Sequence, residues 1–161
     1  DKRFMYEESF STPLVMHLPK RFKKRGAIDQ LVQNIDFAPT MLDMAGIEIP
    51  LDMQGVSLLP LLKSDRAPRD WRKSLYYHYY EFPGVHAVRP HYGVKMGRYK
   101  LIHFYGEEID EWELFDLESD PLEMNNIYGE PGNEALVKEL KAELKRLQIM
   151  YEDPILEKYP L

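Results

Sequence analysis

The sequence has no cysteine among its 161 residues. No disulfide framework, thiolate metal site or cysteine nucleophile can therefore exist within it, and the redox state of its compartment leaves no mark. It also lacks an apolar run long enough for a helix to cross a bilayer; 44% hydrophobic and 30% charged residues are ordinary for a globular chain. There is no Asn-x-Ser/Thr sequon, because Asn34, Asn125, Asn126 and Asn133 are each followed two positions on by another residue type. No Gly-x-Ser-x-Gly elbow surrounds Ser9, Ser11 or Thr12, which excludes a serine hydrolase. Internal repeats and low-complexity segments are absent as well. Positive charge is in deficit, and a formal net charge of -6 argues against a general affinity for nucleic acid. The locally basic cluster Lys20, Arg21, Lys23, Lys24 and Arg25 reads as a solvated loop. The chain opens on Asp1 without a leader pattern, as expected of a truncated sequence. Its length suits one domain with a sizeable core, or the end of one domain followed by a smaller one.

What is present centres on residues 91–126, HYGVKMGRYKLIHFYGEEIDEWELFDLESDPLEMNN. From Tyr99 to Tyr105 both the even positions Ile102 and Phe104 and the odd positions Tyr99, Leu101 and His103 are apolar or aromatic. Neither face looks free for water, so this strand is expected to be central. Before it, Tyr92, Val94 and Met96 alternate with Gly93 and Lys95, and Gly97-Arg98 is short enough for a tight antiparallel hairpin. After a polar loop, Trp112 and Leu114 point one way and Phe115 and Leu117 the other, until Pro121 stops the run.

Elsewhere, residues 5–10 suit one helical turn, and residues 14–18 read as a strand buried on both faces of a parallel sheet. The partners of such a strand are not visible in the sequence. A helix is expected after Ile35, with Asp36 as N-cap, Pro39 in its first turn and Gly46 at its end. A second short helix fits residues 57–62. Residues 63–72 have the composition of a linker, which places a domain boundary near residue 65. Residues 74–82, SLYYHYYEF, suit another strand contacted on both faces, giving about four antiparallel strands. An amphipathic helix follows residue 133, with Asn133 as its cap and Leu136, Leu140, Leu144, Leu147 and Tyr151 along one stripe. It should cover one face of the sheet.

Five histidines are the first candidates for metal or acid/base chemistry. His86 and His91 lie five apart in a loop interrupted by Pro90, unlike the one-face spacing of a zinc-protease helix, so zinc is disfavoured. His78 and His103 sit in aromatic strands and read as hydrogen-bonded packing residues; His17 is ambiguous. His86, Arg89 and His91 combine a cation with neutral donors at a hairpin entrance, an arrangement suited to sugar hydroxyls or an anionic substituent. Loop tethering is the alternative. The carboxylates Glu107, Glu108, Asp110 and Glu111 lack the rhythm of a calcium loop and read as solvated, as do Glu7, Glu8 and the acidic residues of positions 116–120.

Three ordered segments carry a resemblance. HYGVKMGRYKLIHFY leading into EWELFDLESDPLEMNN, together with DKRFMYEESFSTPLVMHLP at residues 1–19 and DQLVQNIDFAPTMLDMAGI at residues 29–47, is similar to the carboxyl-terminal portion of type I sulfatases, most like bacterial glycan sulfatases. The resemblance spans most of residues 1–126. It implies an α/β fold: residues 1–65 end an alkaline-phosphatase-like catalytic domain, and residues 66–161 form an antiparallel-sheet subdomain of the α+β type with a terminal helix. It also implies that Lys2, four residues before the Tyr6-Glu7 pair, is a catalytic cation contacting the sulfate group, and that His86, Arg89 and His91 help bind substrate. Calcium and a formylglycine nucleophile are implied for the intact enzyme, with their residues outside this chain, so the chain alone is expected to be inactive. The implied partners are a sulfated glycosaminoglycan or mucin-type glycan and the preceding catalytic segment, with no nucleic acid and no membrane span. Periplasmic or secreted location follows from the same resemblance, and the missing sequon favours a bacterial source over a glycosylated lysosomal one. A phosphate or phosphonate ester hydrolase of the same superfamily and a non-catalytic carbohydrate-binding module are the rival readings.

Overall fold

In a computed structural model, the structure describes residues 2–20, 26–64 and 66–159. Of the expected basic loop, Arg21, Lys23, Lys24 and Arg25 lie outside the described residues. The chain divides into two compact units, one joining Asp1–Pro13 to Ser74–Leu161 and the other comprising Leu14–Lys73.

The first unit is built on four strands, β1 (Ser74–Tyr79), β2 (His91–Met96), β3 (Tyr99–Tyr105) and β4 (Asp110–Asp116). They pair antiparallel in chain order, so β2 and β3 are central as expected. Gly97 and Arg98 make the two-residue connection that sets Met96 opposite Tyr99 and Gly93 opposite Ile102. Because side chains alternate along a strand, one face presents Tyr92, Val94, Leu101, Tyr105 and Leu114. The long helix α4 (Glu134–Met150) lays Leu140, Leu144 and Leu147 on that face, and the short α5 (Ile155–Lys158) adds Ile155. The helical stripe expected from the sequence is thus the one that is buried. Asn133 stands at the N-cap position, but its amide donates to the Ile127 carbonyl instead of capping α4.

The opposite face carries Ile102, Phe104 and Phe115, and it is covered by the segment that ends at Pro13. Met5 is buried there, with Phe4, Tyr6 and Phe10 packed around it. Gly93 makes this possible. A Cβ at that position would stand 2.6 Å from the Met5 sulfur and 2.5 Å from the Leu101 carbonyl oxygen, so only a residue without a side chain lets the segment reach the sheet. The turn α1 (Glu7–Phe10) falls where the sequence suggests one.

The Leu14–Lys73 unit holds α2 (Phe37–Ala45), ended by Gly46, and α3 (Leu59–Lys63), with Leu58, Leu59, Leu61 and Leu62 as its core. Asp36 precedes α2, but its carboxylate does not cap that helix. Fully buried, it accepts the Gln33 and Val56 amides at 2.8 and 2.9 Å and a two-point contact from Arg72 at 2.6 and 2.7 Å. A buried carboxylate needs a paired cation and filled lone pairs more than a helix needs a cap. Residues 14–18 form no strand, and Val15 is 91% exposed. A strand of that composition needs ladder partners on both sides, and the described residues supply none. The compact units divide the chain at 13/14 and 73/74, since the first thirteen residues go with the sheet.

Two substitutions test this packing. Leu144→Ala removes a fully buried side chain from the sheet–helix core and should cost about 3 kcal/mol, read as a lower urea midpoint at unchanged slope. Gly93→Ala should cost about 1 to 3 kcal/mol through overpacking and should expose residues 2–13 to protease while the sheet stays protected. Equal protection of residues 2–13 in both proteins would contradict the fit of Met5 against Gly93.

Candidate functional site

The segment ending at Pro13 crosses its sheet face under hydrogen bonds from every strand. From β1, the Tyr77 hydroxyl donates to the Arg3 carbonyl at 2.5 Å. From β2, the Lys95 ammonium donates to Glu7 Oε2 at 2.9 Å. From β3, Lys100 Nζ donates to the Met5 carbonyl at 2.7 Å and lies 2.7 Å from both Glu7 Oε1 and Glu123 Oε1. From β4, Glu113 Oε2 accepts the Tyr6 hydroxyl at 2.8 Å. Glu123, just past β4, accepts the Glu7 amide through its other oxygen at 2.6 Å.

This network was not legible as such: Glu7 reads from the sequence as a solvated acid, whereas the fold uses it in two ion pairs. Burial alone would raise its pKa, and Lys100 and Lys95 more than offset that and hold it below the ordinary carboxylate range. The available signal was Lys100 itself, an ionisable residue on the strand face that carries Ile102 and Phe104.

At the start of the anchored stretch Arg3 is half-buried. Lys2 is exposed. An Arg3 guanidinium nitrogen, Nη2, sits 2.5 Å from His86 Nε2, so the loop between β1 and β2 meets the segment that carries Lys2. Arginine can only donate, which makes Nε2 the acceptor and leaves the ring proton on Nδ1. Arg89 is exposed, stacks over the Phe82 ring at 4.8 Å and lies 3.7 Å from Glu108 Oε2. The structure therefore brings Arg3, the residue after Lys2, against His86 and holds Arg89 on the same loop as His86.

His91 is elsewhere. It is fully buried in β2, its Nδ1 donating to the Arg89 carbonyl at 2.9 Å and its ring enclosed by Phe4, Tyr77, Tyr79 and Phe104. The expectation of direct substrate contact is corrected for this residue, because its ring has no surface to offer. It tethers the loop that carries Arg89.

His78 and His103 are packing histidines, as read. His78 lies 2.6 Å from both Asp153 Oδ2 and the Tyr105 hydroxyl. His103 lies 2.7 Å from both the Tyr92 hydroxyl and Asp110 Oδ1, and stacks on Trp112 at 4.1 Å. His17 is exposed on the extended part of the second unit. Among the described residues, no three His, Cys, Asp or Glu side chains are disposed to hold a metal ion.

A four-stranded antiparallel meander with a terminal helix on one face and an upstream segment on the other, centred on a GVKMGRYKLI hairpin and left through a DPLE turn, is a sulfatase architecture of the α/β class. Residues 1–150 match the family described as N-sulphoglucosamine sulphohydrolase, C-terminal, and the chain belongs to that family. It is 49% identical over 154 residues to N-acetylglucosamine-6-O-sulfatase of Bacteroides thetaiotaomicron, covering 95% of this chain and 27% of that protein. Arylsulfatase K of Rattus norvegicus is 36% identical over 129 residues, covering 78% of this chain and 23% of that protein. The solved structure of BT4656 in complex with its substrate D-glucosamine-2-N, 6-O-disulfate matches with a TM-score of 0.89 at 49% identity, covering 95% of this chain and 31% of that one. The chain thus spans about a quarter to a third of the length of these relatives.

The buried histidines predict a pH dependence. Burial lowers the pKa of His91 and of His103, against the opposing pull of the Arg89 carbonyl and of Asp110 respectively. A histidine with a depressed folded pKa contributes stability that is present above its unfolded value and lost as pH falls through the folded one. Glu7 and Asp153, also held low despite burial, add the same sign over the carboxylate range; Glu113, pushed up by burial, opposes them there. The thermal midpoint should therefore fall as pH drops from neutral through about 6.5, and His103→Asn should flatten that first decline. A midpoint constant between neutrality and the carboxylate range would contradict two buried neutral imidazoles.

Proposed function

We propose that the chain is the carboxyl-terminal portion of a sulfatase that hydrolyses sulfate esters of sulfated sugars, at an exposed residue of a glycosaminoglycan or mucin-type glycan. The observation that carries this reading is the contact between Arg3, the residue that follows Lys2, and His86, on a segment anchored to all four strands. Its support comes from membership of a sulphohydrolase family and from two relatives named for sulfatase activity.

In this reading Lys2 is catalytic. Its ammonium stands beside the sulfate oxygens and steadies the charge that develops on the leaving oxygen as the S–O bond breaks. Arg3 fixes the His86 tautomer, so that Nδ1–H is the group free to donate to a sugar hydroxyl or an anionic substituent. Arg89 adds positive charge on the same loop, and His91 keeps that loop in place. Calcium and a formylglycine nucleophile enter on the family resemblance alone. The side chains described above do not form a calcium site, and formylglycine arises from a cysteine or serine in a motif this chain lacks, so no step is derived through either.

The same reading assigns residues 1–65 to the end of the catalytic domain and residues 66–161 to the carboxyl-terminal subdomain, with the preceding catalytic segment as an intramolecular partner. It also makes the enzyme periplasmic or secreted and bacterial. No helix of the described residues is long and apolar enough to cross a membrane.

The test compares two variants of the intact enzyme on two substrates. Lys2→Ala should lower turnover of both a sulfated glycan and a small aryl sulfate by about a hundredfold, a loss of roughly 2 to 4 kcal/mol in transition-state stabilisation. His86→Ala should impair the glycan and leave the aryl sulfate nearly untouched, since its contacts are to the sugar. Near-normal aryl sulfate turnover by Lys2→Ala would remove the catalytic assignment.

A further inference from the structure

Lys100 is an extreme feature of the sheet unit: a lysine with no exposed surface, in a central strand. Burying an ammonium costs several kcal/mol unless its donors are filled, and an apolar residue would pack that position without the cost. Its three oxygen partners are the Met5 carbonyl, Glu7 and Glu123, and its ammonium lies 5.5 Å from the Phe10 ring, so these contacts go to the Lys2-bearing segment or to a residue that also grips that segment. Glu123 is the second half of the grip. It keeps a left-handed backbone, φ 54°, although it is not glycine, and its side chain is 1% exposed. One of its oxygens takes Lys100 and the other the Glu7 amide. With Lys95 on the outer side of Glu7, two cations face two carboxylates, and the cluster is neutral.

We infer that Lys100 and Glu123 are positioning residues for catalysis: they fix the Met5 carbonyl and the Glu7 amide, and through the short stretch of backbone from Met5 back to Lys2 they set where the Lys2 ammonium stands. This rests on the catalytic reading of Lys2 given above. A packing role alone would be met by Met5 seated against Gly93, with Phe4, Tyr6 and Phe10 around it. Apolar contact leaves a short, irregular segment free to slide by fractions of an ångström. Hydrogen bonds to a backbone carbonyl and a backbone amide two residues apart do not, and directional anchors of that kind are what a charge aimed at a transition state requires.

The experiment uses the intact enzyme and a small aryl sulfate. Lys100→Met combined with Glu123→Leu removes the buried pair without leaving an unpaired charge, and Lys95 still neutralises Glu7, so the fold should persist with its thermal midpoint above the assay temperature. Turnover of this double variant should fall by about tenfold or more while KM changes little, because the loss lies in aiming a charge and not in holding substrate. In a Lys2→Ala background the same two replacements should lower turnover less than about threefold, since the group they aim is gone. If the double variant does not fold, Glu123→Gln, which keeps the size and loses the second charged acceptor, is put through the same comparison. Full turnover in a folded variant, or an equal loss in both backgrounds, overturns the inference while leaving Lys2 as the catalytic cation. Near-normal turnover of Lys2→Ala by itself overturns the catalytic reading, and this inference with it.

Discussion

A charged amine sealed inside a β-sheet is the constraint on which the rest of the sheet unit depends. Lys100 lies on a strand face otherwise lined by Ile102, Phe104 and Phe115. Water cannot reach it, so the protein must bring oxygen atoms to it, and it does so from both sides: a carbonyl and a carboxylate from the segment above, a second carboxylate from the turn beyond β4. Once that demand is met, much else is determined. Met5 must lie over Gly93, Glu7 must face inward, and Glu123 must adopt the backbone that turns its side chain back over the sheet.

The two faces of the sheet are closed by different physics. Under α4 the contact is apolar and repetitive, with leucines at helical spacing against β-strand side chains, and it would tolerate a small shift of the helix. Its polar groups include His78 paired with Asp153 and His103 paired with Asp110. On the other face a short segment with little regular structure is held by directional bonds from each strand in turn. That difference suits a division of labour, a helix face that supplies stability and a segment face that supplies position.

The candidate site was legible only in part. His86 stood out because it sits near a cation in a loop entering a hairpin, and the fold does place it against Arg3. His91 stood out for the same reason and is buried, because one residue after Pro90 it is already in β2 and its side chain falls on the covered face. Glu7 and Asp36 were read by local rules, as a solvated acid and as a helix cap, and both turned out to answer a cation remote in sequence: Lys100 and Lys95 for Glu7, Arg72 for Asp36. Residues 14–18 failed in the opposite direction, since a strand's existence depends on partners that local pattern cannot supply.

The sequence by itself determined the four antiparallel strands, the central hairpin at Gly97-Arg98, the stop before Pro121 and the buried stripe of the last helix. Each of these follows from alternation, turn chemistry or helical period over fewer than about twenty residues, and such signals survive in the order of the letters. Tertiary structure decided which segment covers the second face, which acids are buried and where the two compact units divide. Those outcomes depend on bonds such as Lys100 to the Met5 carbonyl, 95 residues apart in the chain, whose partners carry no local mark. A buried charge selects its counterpart by proximity in the folded state, and only the fold creates that proximity.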